Sequence, residues 1–206
     1  MRLVSLILAS LVWFAPLPAL AGDNAGVHEH DELLVRVSLG GGFTAGWAPS
    51  SDHALALLGA SSLLNISAGF AVVENLVVNV DLFGAVLPAA DTRPGDDWRA
   101  LGDDAELLGA GLGITWYWMP HNILLAASGG WSAWQGNAKS TQGVTSKGGP
   151  AINLLAGKEW WTARNWGLGV AANVLLASTG DAVLVEEGVG RLYSLSAGLV
   201  VTLTYN

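Results

Sequence analysis

The sequence predicts an all-β protein, an eight-stranded antiparallel up-and-down transmembrane β-barrel. Three patterns favour this fold: apolar residues alternate with small or polar ones in eight segments, short and long connections alternate between the segments, and aromatic residues collect at segment ends. Alternation with a period of two indicates a strand, because successive side chains leave opposite faces of the pleat. Only helices and closed barrels satisfy every backbone group in lipid, and no apolar run after residue 21 is long enough for a spanning helix.

Residues 151–177 form the clearest predicted hairpin. On its first arm Ile152 and Leu154 share one face, whereas Asn153 and Glu159 share the other. The apolar face is continuous, and the opposite face is too small and too polar to form the core of a soluble sandwich. A lipid-facing surface of Leu and Val backed by a polar interior is typical of membrane barrels. A soluble lipocalin-like barrel needs the reverse arrangement.

The N-terminal residues 1–21 are predicted to be a secretory signal peptide. They contain a basic start at Arg2, an apolar stretch at 3–14 and an A-x-A cleavage pattern at 19–21. Two prolines and the short apolar run argue against a membrane anchor helix. Residues 22–32 are predicted to be a periplasmic N-terminal arm with a solvated surface, and residues 33–206 the outer-membrane barrel. The neighbouring acidic and histidine side chains of the arm are interpreted as solvated rather than as a metal site: His28, Glu29, His30 and Asp31.

The composition excludes several classes of protein. The chain has 206 residues, no cysteine and a net charge of −8. It therefore has no disulfide framework, and its acidity argues against nucleic-acid binding. Hydrophobic residues make up 51% of the chain and charged residues only 13%, which fits a membrane-embedded strand protein better than a soluble one.

The predicted strands are joined by connections of two kinds. Short turns are expected at 74–75, 119–122 and 162–165, and longer loops at 48–60, 88–105, 135–150 and 178–190. In outer-membrane barrels the short turns face the periplasm and the long loops face outward. The predicted strands are 33–47, 61–73, 76–87, 106–118, 123–134, the two arms of 151–177, and a last strand from about residue 191.

With these segments the chain resembles the small eight-stranded outer-membrane barrels of the OmpA transmembrane domain, OmpX and OmpW type. The resemblance rests on the strand and loop pattern and covers nearly all of the mature chain. It implies an up-and-down barrel located in the outer membrane. Proteins of this type commonly finish on an aromatic residue that guides insertion, whereas here Tyr205 is followed by Asn206.

Aromatic residues at the strand ends are predicted to form two girdles at the membrane interfaces, because amphipathic rings prefer that position. The side of the short turns carries Trp116, Trp118, Trp160, Trp161, Trp166 and Tyr205, and the side of the long loops carries Trp47, Trp131, Trp134 and Tyr193.

Seven inward polar residues are predicted to form a network inside the barrel: Arg36, Asn65, Asn79, Asp81, Asn153, Glu159 and Asn173. An eight-stranded barrel is only just wide enough for its own side chains, so a structural network is favoured over a narrow pore. Buried charges need partners, which predicts an ion pair between Arg36 and either Glu159 or Asp81. A pore remains the alternative, since inward Gly and Ser residues leave room. By the same argument, Arg at the outward Val170 or Leu112 should be costly, whereas Ser at the inward Gly111 or Gly169 should be milder.

The predicted function is a structural or surface-interaction role through acidic extracellular loops. Divalent cations at these loops are expected to bridge carboxylates to phosphates of lipopolysaccharide, so outer-membrane lipid and lipopolysaccharide are the predicted partners. No cofactor is predicted, and the alternative function is a small channel for polar or small apolar solutes. The residues predicted to make the loop interaction are Asp96, Asp97, Trp98, Asp103 and Asp104.

The sequence predicts no enzyme. Polar residues at 50–53 in the first loop are sequence neighbours, and adjacent residues rarely converge into a catalytic group. His121 falls on the periplasmic side, away from the chemistry of the outer leaflet.

Overall fold

Eight long antiparallel strands close into one barrel. The computed structural model describes residue 30 and the ranges 33–48, 55–88, 91–93, 99–100, 104–136, 144–184 and 187–206. The strands are β1 (Leu33–Ala48), β2 (Leu55–Val73), β3 (Leu76–Leu87), β4 (Asp91–Arg93), β5 (Arg99–Ala100), β6 (Ala105–Trp118), β7 (Ile123–Gly136), β8 (Val144–Thr145), β9 (Gly149–Ala163), β10 (Trp166–Leu184) and β11 (Glu187–Tyr205).

The strand order confirms the predicted up-and-down topology. The barrel runs β1, β11, β10, β9, β7, β6, β3 and β2, and β1 pairs with both β11 and β2, which closes the ladder. Every pair is antiparallel. The short strands lie outside the closed ring, with β4 beside β2, β5 beside β4, and β8 beside β10. No helix in the part of the chain that the structure describes has the length and apolarity to cross a membrane.

The two faces of the strands differ as the alternation predicts. Along β1 the burial alternates from exposed Leu33 and Val35 to buried Leu34 and Arg36. The same alternation recurs in β3, β7 and β9. Large apolar side chains therefore cover the outside of the barrel, where Leu112 is 70% exposed and Phe43 69%. A soluble protein rarely exposes so continuous an apolar surface.

Two of the short connections occur where they are predicted, and the third is tighter. Residues 74–75 and 119–122 are turns, and Asn75 and Asn122 adopt positive φ values of 62° and 50°. Asn tolerates this left-handed conformation better than most residues. The third turn contains only residues 164–165, because β9 continues to Ala163. We call the end of the barrel with these three turns the turn end, and the opposite end the loop end.

The long loops were predicted with the wrong boundaries. The strand β2 begins at Leu55, inside the loop predicted at 48–60, and β4, β5 and β8 occupy parts of two other predicted loops. The loop predicted at 178–190 is mostly strand, since β10 continues to Leu184 and β11 begins at Glu187. Ladder pairing continues here although the apolar alternation has ended, and register shifts between Thr179 and Val183 interrupt it.

Candidate functional site

The interior of the barrel is the candidate site, and it has three layers. The middle layer holds the predicted polar residues. All seven side chains lie inside the barrel, and none is more than 3% exposed. Below them, at the turn end, the interior is closed by aromatic and amide side chains, and above them, at the loop end, by apolar side chains.

Arg36 does not form the ion pair that the sequence predicts. Its Nη2 donates to Ser67 Oγ at 3.0 Å and to Thr115 Oγ1 at 3.3 Å. Ser67 in turn donates to Asn65 Oδ1, and Thr115 to Asn79 Oδ1, both at 3.1 Å. The network around Arg36 is therefore built of hydroxyls and amides. Within the described ranges, Lys147 with Asp181 is the ion pair present, so neither Glu159 nor Asp81 forms one with Arg36.

Glu159 is instead held by threonine hydroxyls. Glu159 Oε1 accepts hydrogen bonds from Thr202 at 2.8 Å and from Thr204 at 2.7 Å. Hydroxyl donors of this kind stabilise a buried carboxylate without a cation in contact. Thr204, which donates to Glu159, is the cross-strand neighbour of Arg36 in the β1 and β11 ladder, so the two charged side chains lie in neighbouring parts of the interior without forming an ion pair.

The side chain of Glu159 crosses β10 over two glycines to reach β11. A Cβ placed on Gly169 would lie 2.5 Å from the Lys158 carbonyl oxygen and 2.6 Å from Glu159 Cγ. A Cβ on Gly111 would lie 2.3 Å from the Gly129 carbonyl oxygen. That Ser at these inward glycines is milder than Arg on the lipid face stays a prediction, but an added Cβ at either position meets the backbone of the neighbouring strand, so some loss of stability is expected.

We expect Gly169→Ala to lower the free energy of unfolding by about 1–3 kcal/mol, which is typical of overpacking. The matched control is Gly167→Ala on the same strand, where the nearest atom to the added Cβ is Glu159 Oε2 at 3.4 Å. Urea unfolding in lipid vesicles measures both variants. Equal losses at the two positions would contradict the crossing of Glu159 over Gly169.

Asn173 and a group of hydroxyls complete the middle layer. Asn173 Nδ2 donates to Asn153 Oδ1 at 2.7 Å, and Thr44 Oγ1 lies 3.0 Å from Ser61 Oγ and 2.7 Å from Ser196 Oγ. Several buried atoms of this layer have no hydrogen-bond partner among the described residues: Arg36 Nε and Nη1, Ser38 Oγ, Asn65 Nδ2, Asn79 Nδ2, Asp81 Oδ1, Ser128 Oγ, Asn153 Nδ2 and Glu159 Oε2.

Apolar side chains fill the loop end of the interior. Trp134, predicted to belong to a girdle, is 1% exposed and points inward. Residues 131 and 134 are three apart, so their side chains leave opposite faces of the strand. Ser146, in the segment that follows β8, is hydrogen bonded to the Trp134 backbone in both directions, at 2.9 and 3.1 Å. The apolar side chains packed at this end include Leu57, Leu87, Leu107, Val144 and Leu192, each 0% or 1% exposed.

His30 closes the turn end, which contradicts its assignment to a solvated arm. It is 1% exposed, and its ring stacks on Tyr117 with centroids 3.5 Å apart and planes 7° from parallel. Its Nε2 lies 3.1 Å from Asn122 Oδ1, and its backbone is hydrogen bonded to Asn75 in both directions, at 3.0 and 3.3 Å. The other residues of the arm, 22–29 and 31–32, lie outside the described part of the chain.

Trp161 belongs to this closure and not to the girdle that was predicted for it. Its ring centroid lies 5.0 Å from that of His30. Trp160, its neighbour on β9, is 52% exposed on the outer face. Consecutive residues of a strand leave opposite faces, so only one of the two side chains can face outward.

The packing of His30 against Tyr117 and Trp161 at the turn end, which we call the seal, should depend on pH. Burial lowers the pKa of His30 below its ordinary value of 6.5, although hydrogen bonds with Asn206 and Asn122 and the charge of Glu159 act in the opposite direction, while Arg36 adds to the lowering. Because burial penalises the charged ring more than its amide neighbours favour it, protonation disfavours the buried position of His30. The state in which His30 is buried in the seal is therefore fully favoured above pH 6.5. Below that pH, the equilibrium constant for burying His30 falls by at most about tenfold per pH unit.

Histidine NMR across this pH range measures the transition. We expect the His30 ring to move from a shielded to a solvent-like chemical shift as the pH falls below 6.5. In His30→Ala, the signals of the Tyr117 and Trp161 rings should show no corresponding transition. A His30 ring that titrates at its ordinary pKa without any change at Tyr117 would contradict the seal.

The remaining girdle residues lie on the outer face or at its edge. Trp47 and Tyr193 stack with centroids 6.0 Å apart at the loop end, and Trp166 and Tyr205 meet edge-on at 5.2 Å at the turn end. The exposed fractions are 46% for Trp47, 46% for Trp116, 53% for Trp118, 61% for Trp131, 52% for Trp160 and 37% for Tyr205, whereas Trp166 and Tyr193 are half-buried.

Most of the predicted loop-interaction residues lie outside the described residues, namely Asp96, Asp97, Trp98 and Asp103, as do the polar residues at 50–53. Asp104 is described and half-buried, and Asp91 is exposed at the loop end. Asp181 forms an ion pair with Lys147 at 2.8 Å, which neutralises its charge.

Comparison with known proteins yields structural neighbours only. No family model matches the chain, and no curated protein matches it significantly. Neisserial surface protein A has a TM-score of 0.49 and 13% identity, and the alignment covers 84% of this chain and 96% of that one. Ail, the attachment invasion locus protein of Yersinia pestis, solved in complex with the heparin analogue sucrose octasulfate, has a TM-score of 0.37 and 12% identity, with 83% of this chain and 99% of Ail covered.

Proposed function

We propose that this chain is a closed outer-membrane barrel whose acidic loop associates with lipopolysaccharide, and that it does not serve as a channel. The observation that carries the proposal is the filling of the interior at both ends. Trp134 and its apolar neighbours occupy the loop end, and His30 stacked on Tyr117 occupies the turn end. An ion crossing the barrel has to pass both layers. The tightly packed apolar side chains leave no room for water and provide no coordinating atoms, so they oppose the passage of the ion.

The outer face supports the membrane location. Apolar side chains cover the middle of the barrel wall, and aromatic rings lie at both of its ends. This distribution matches a lipid bilayer, which has an apolar middle and a polar interface on each side. Among the described residues, the large apolar side chains of this wall stay exposed, and a surface of this size is unfavourable in water.

Heat-modifiable migration on a detergent gel tests the membrane barrel. A closed ladder resists SDS until it is boiled, so the unboiled protein should migrate differently from the boiled one. Recovery of the protein in the soluble periplasmic fraction would refute the location.

The proposed surface role rests on the acidic residues of the second long loop. Asp91 is exposed at the base of this loop, and the sequence places four more aspartates and Trp98 between positions 96 and 104. Divalent cations bind carboxylate oxygens and bridge them to phosphates. Trp98, which is flanked by charges, supplies an apolar group that favours contact with a lipid or partner surface.

The test replaces Asp96, Asp97, Asp103 and Asp104 with Asn. We expect an intact barrel that loses calcium-dependent association with lipopolysaccharide micelles, as the wild-type protein should after chelation of calcium. Asp181→Asn is the matched control, because it removes one exposed loop-end carboxylate outside the second long loop, one that is already paired with Lys147. Association that survives both the replacement and the chelator would refute the proposal.

A small channel is the second candidate, and the unpartnered polar atoms of the middle layer favour it. Planar-bilayer recording distinguishes the two functions. Little or no steady conductance is expected from the closed barrel. Large and stable conductance that persists after the loop replacement would make the protein a channel.

A further inference from the structure

We infer that the outer wall of β7 and β9 carries a binding site for one phospholipid, with the headgroup phosphate at Lys158 and an acyl chain in the groove above it. The inference rests on the membrane location proposed above. It goes beyond general lipid contact, because it assigns a phosphate ligand and a chain path to named residues.

Lys158 is a cation on an otherwise apolar wall. It is exposed on the outer face, and its cross-strand neighbours are Ile123 on β7 and Val170 on β10. A basic side chain on the lipid face is unfavourable unless it reaches the interface. Lys158 forms no ion pair with a carboxylate in the part of the chain that the structure describes.

The ammonium group of Lys158 turns toward the turn end and the aromatic residues there. Its Nζ donates to the carbonyl oxygen of His121 and lies 5.6 Å from the centre of the Trp160 ring. The ring of His121 meets Trp118 edge-on at 6.2 Å. Contacts therefore connect Trp118, His121, Lys158 and Trp160 into one interfacial cluster, which we call the Lys158 cluster.

This cluster presents donors of the kind that a lipid phosphate accepts. An ammonium group has three N–H donors, and one of them is used by His121. The indole N–H groups of Trp118 and Trp160 make no hydrogen bond within the described part of the chain, and both rings are about half exposed, at 53% and 52%. Charge-assisted hydrogen bonds to phosphate are stronger than neutral ones.

Two shallow, open depressions lie on the barrel wall between the level of Ala156 and the middle of the wall, and we call them together the groove. They adjoin each other and share Ile114 and Ala127. The first depression includes Ala156, the outward residue next to Lys158 on β9. The second ends at Gly129, where an added Cβ would meet no atom within 4 Å.

The groove exists because small and large residues pair across β7 and β9. Leu125 faces Ala156, and Ala127 faces Leu154. At each level one side chain is short, which leaves a continuous apolar path. A saturated acyl chain fits such a path, while the phosphate of the same lipid reaches the Lys158 cluster at the interface.

Native mass spectrometry of the detergent-solubilised full barrel tests the site. Dimyristoylphosphatidylglycerol is the probe, and dimyristoylglycerol, which has the same chains without the phosphate, is the comparator. Lys158→Gln should weaken binding of the phospholipid about tenfold, the loss expected for one charge-assisted hydrogen bond, and should leave the comparator unchanged. Lys158→Arg should bind the phospholipid like the wild type.

Two further variants separate the parts of the site. Gly129→Leu, whose Cβ would meet no atom within 4 Å, places an apolar side chain in the groove and should weaken binding of both lipids. Arg191→Gln removes an exposed charge at the loop end and should change neither. Equal phospholipid binding by Lys158→Gln and the wild type, or equal losses in Lys158→Gln and Arg191→Gln, would overturn the site while leaving the membrane barrel in place. A wild-type protein that does not insert into vesicles would overturn the membrane location and the site together.

Discussion

Replacing Arg36 with leucine should lower the free energy of unfolding by about 3–5 kcal/mol, the loss typical when one member of a buried set of charges is removed. Arg36 is 0% exposed, and the buried carboxylates Asp81 and Glu159 share the interior with it. Without the guanidinium group, these two carboxyl groups remain inside the barrel with no Lys or Arg side chain among the described interior residues. Ser67 and Thr115 also lose their donor.

The control for this prediction is Arg36→Lys, which keeps the charge but loses the forked donor geometry. Its loss should be smaller than that of the leucine variant, because the carboxylates keep a cation in the interior. The double variant Arg36→Leu with Glu159→Gln should lose less free energy of unfolding than the two single variants added together. The difference measures the coupling between the two charges. Urea unfolding in lipid vesicles gives all four values. Strict additivity would mean that Arg36 and Glu159 are not coupled.

The sequence predicts the faces of the strands well because a strand has a fixed period. Once Leu33 and Val35 are assigned to the lipid side, every second residue of β1 follows, including Arg36 on the inside. The same rule contains the signal that corrects two of the girdle residues. Trp161 follows the outward Trp160 and therefore faces inward, and Trp134 lies an odd number of residues after the outward Trp131.

Other features depend on information that a period does not contain. The strands β10 and β11 continue beyond the apolar alternation, because ladder hydrogen bonds do not require an apolar face. The partners of Arg36 depend on the reach of a long side chain across β2 and β3 to Thr115 on β6, which follows from strand register and curvature. His30 lies in a polar segment without alternation, so only the three-dimensional position of Tyr117 identifies it as part of the barrel.

The unequal behaviour of glycines has the same origin. Gly167 and Gly169 are equivalent in the pattern of β10, since both face inward. They differ because the Glu159 side chain and the backbone of β9 lie close to one of them and leave space at the other. The sequence thus predicts which face a residue occupies, whereas the room available on that face depends on the neighbouring strands.

Arginine in place of Leu112 should lower the free energy of unfolding in lipid vesicles by about 2–4 kcal/mol, as expected for a basic residue near the middle of the lipid face. Leu112 lies in the middle of β6 and is 70% exposed on the outer wall, so no protein group is available to pair with the new charge. Val170→Arg should be less harmful than Leu112→Arg, because position 170 is closer to the turn end, where a long side chain can reach the interface.

The matched control is Thr162→Arg, since Thr162 is exposed at the turn end of β9, beyond the outward Trp160. A charge there lies in the interface or in water, where its effect should be about 0–1 kcal/mol. The difference between Leu112→Arg and Thr162→Arg therefore measures depth in the membrane rather than the general effect of an added arginine. Equal losses at the two positions would mean that the wall around Leu112 does not face lipid, and the membrane assignment of the outer face would fail with it.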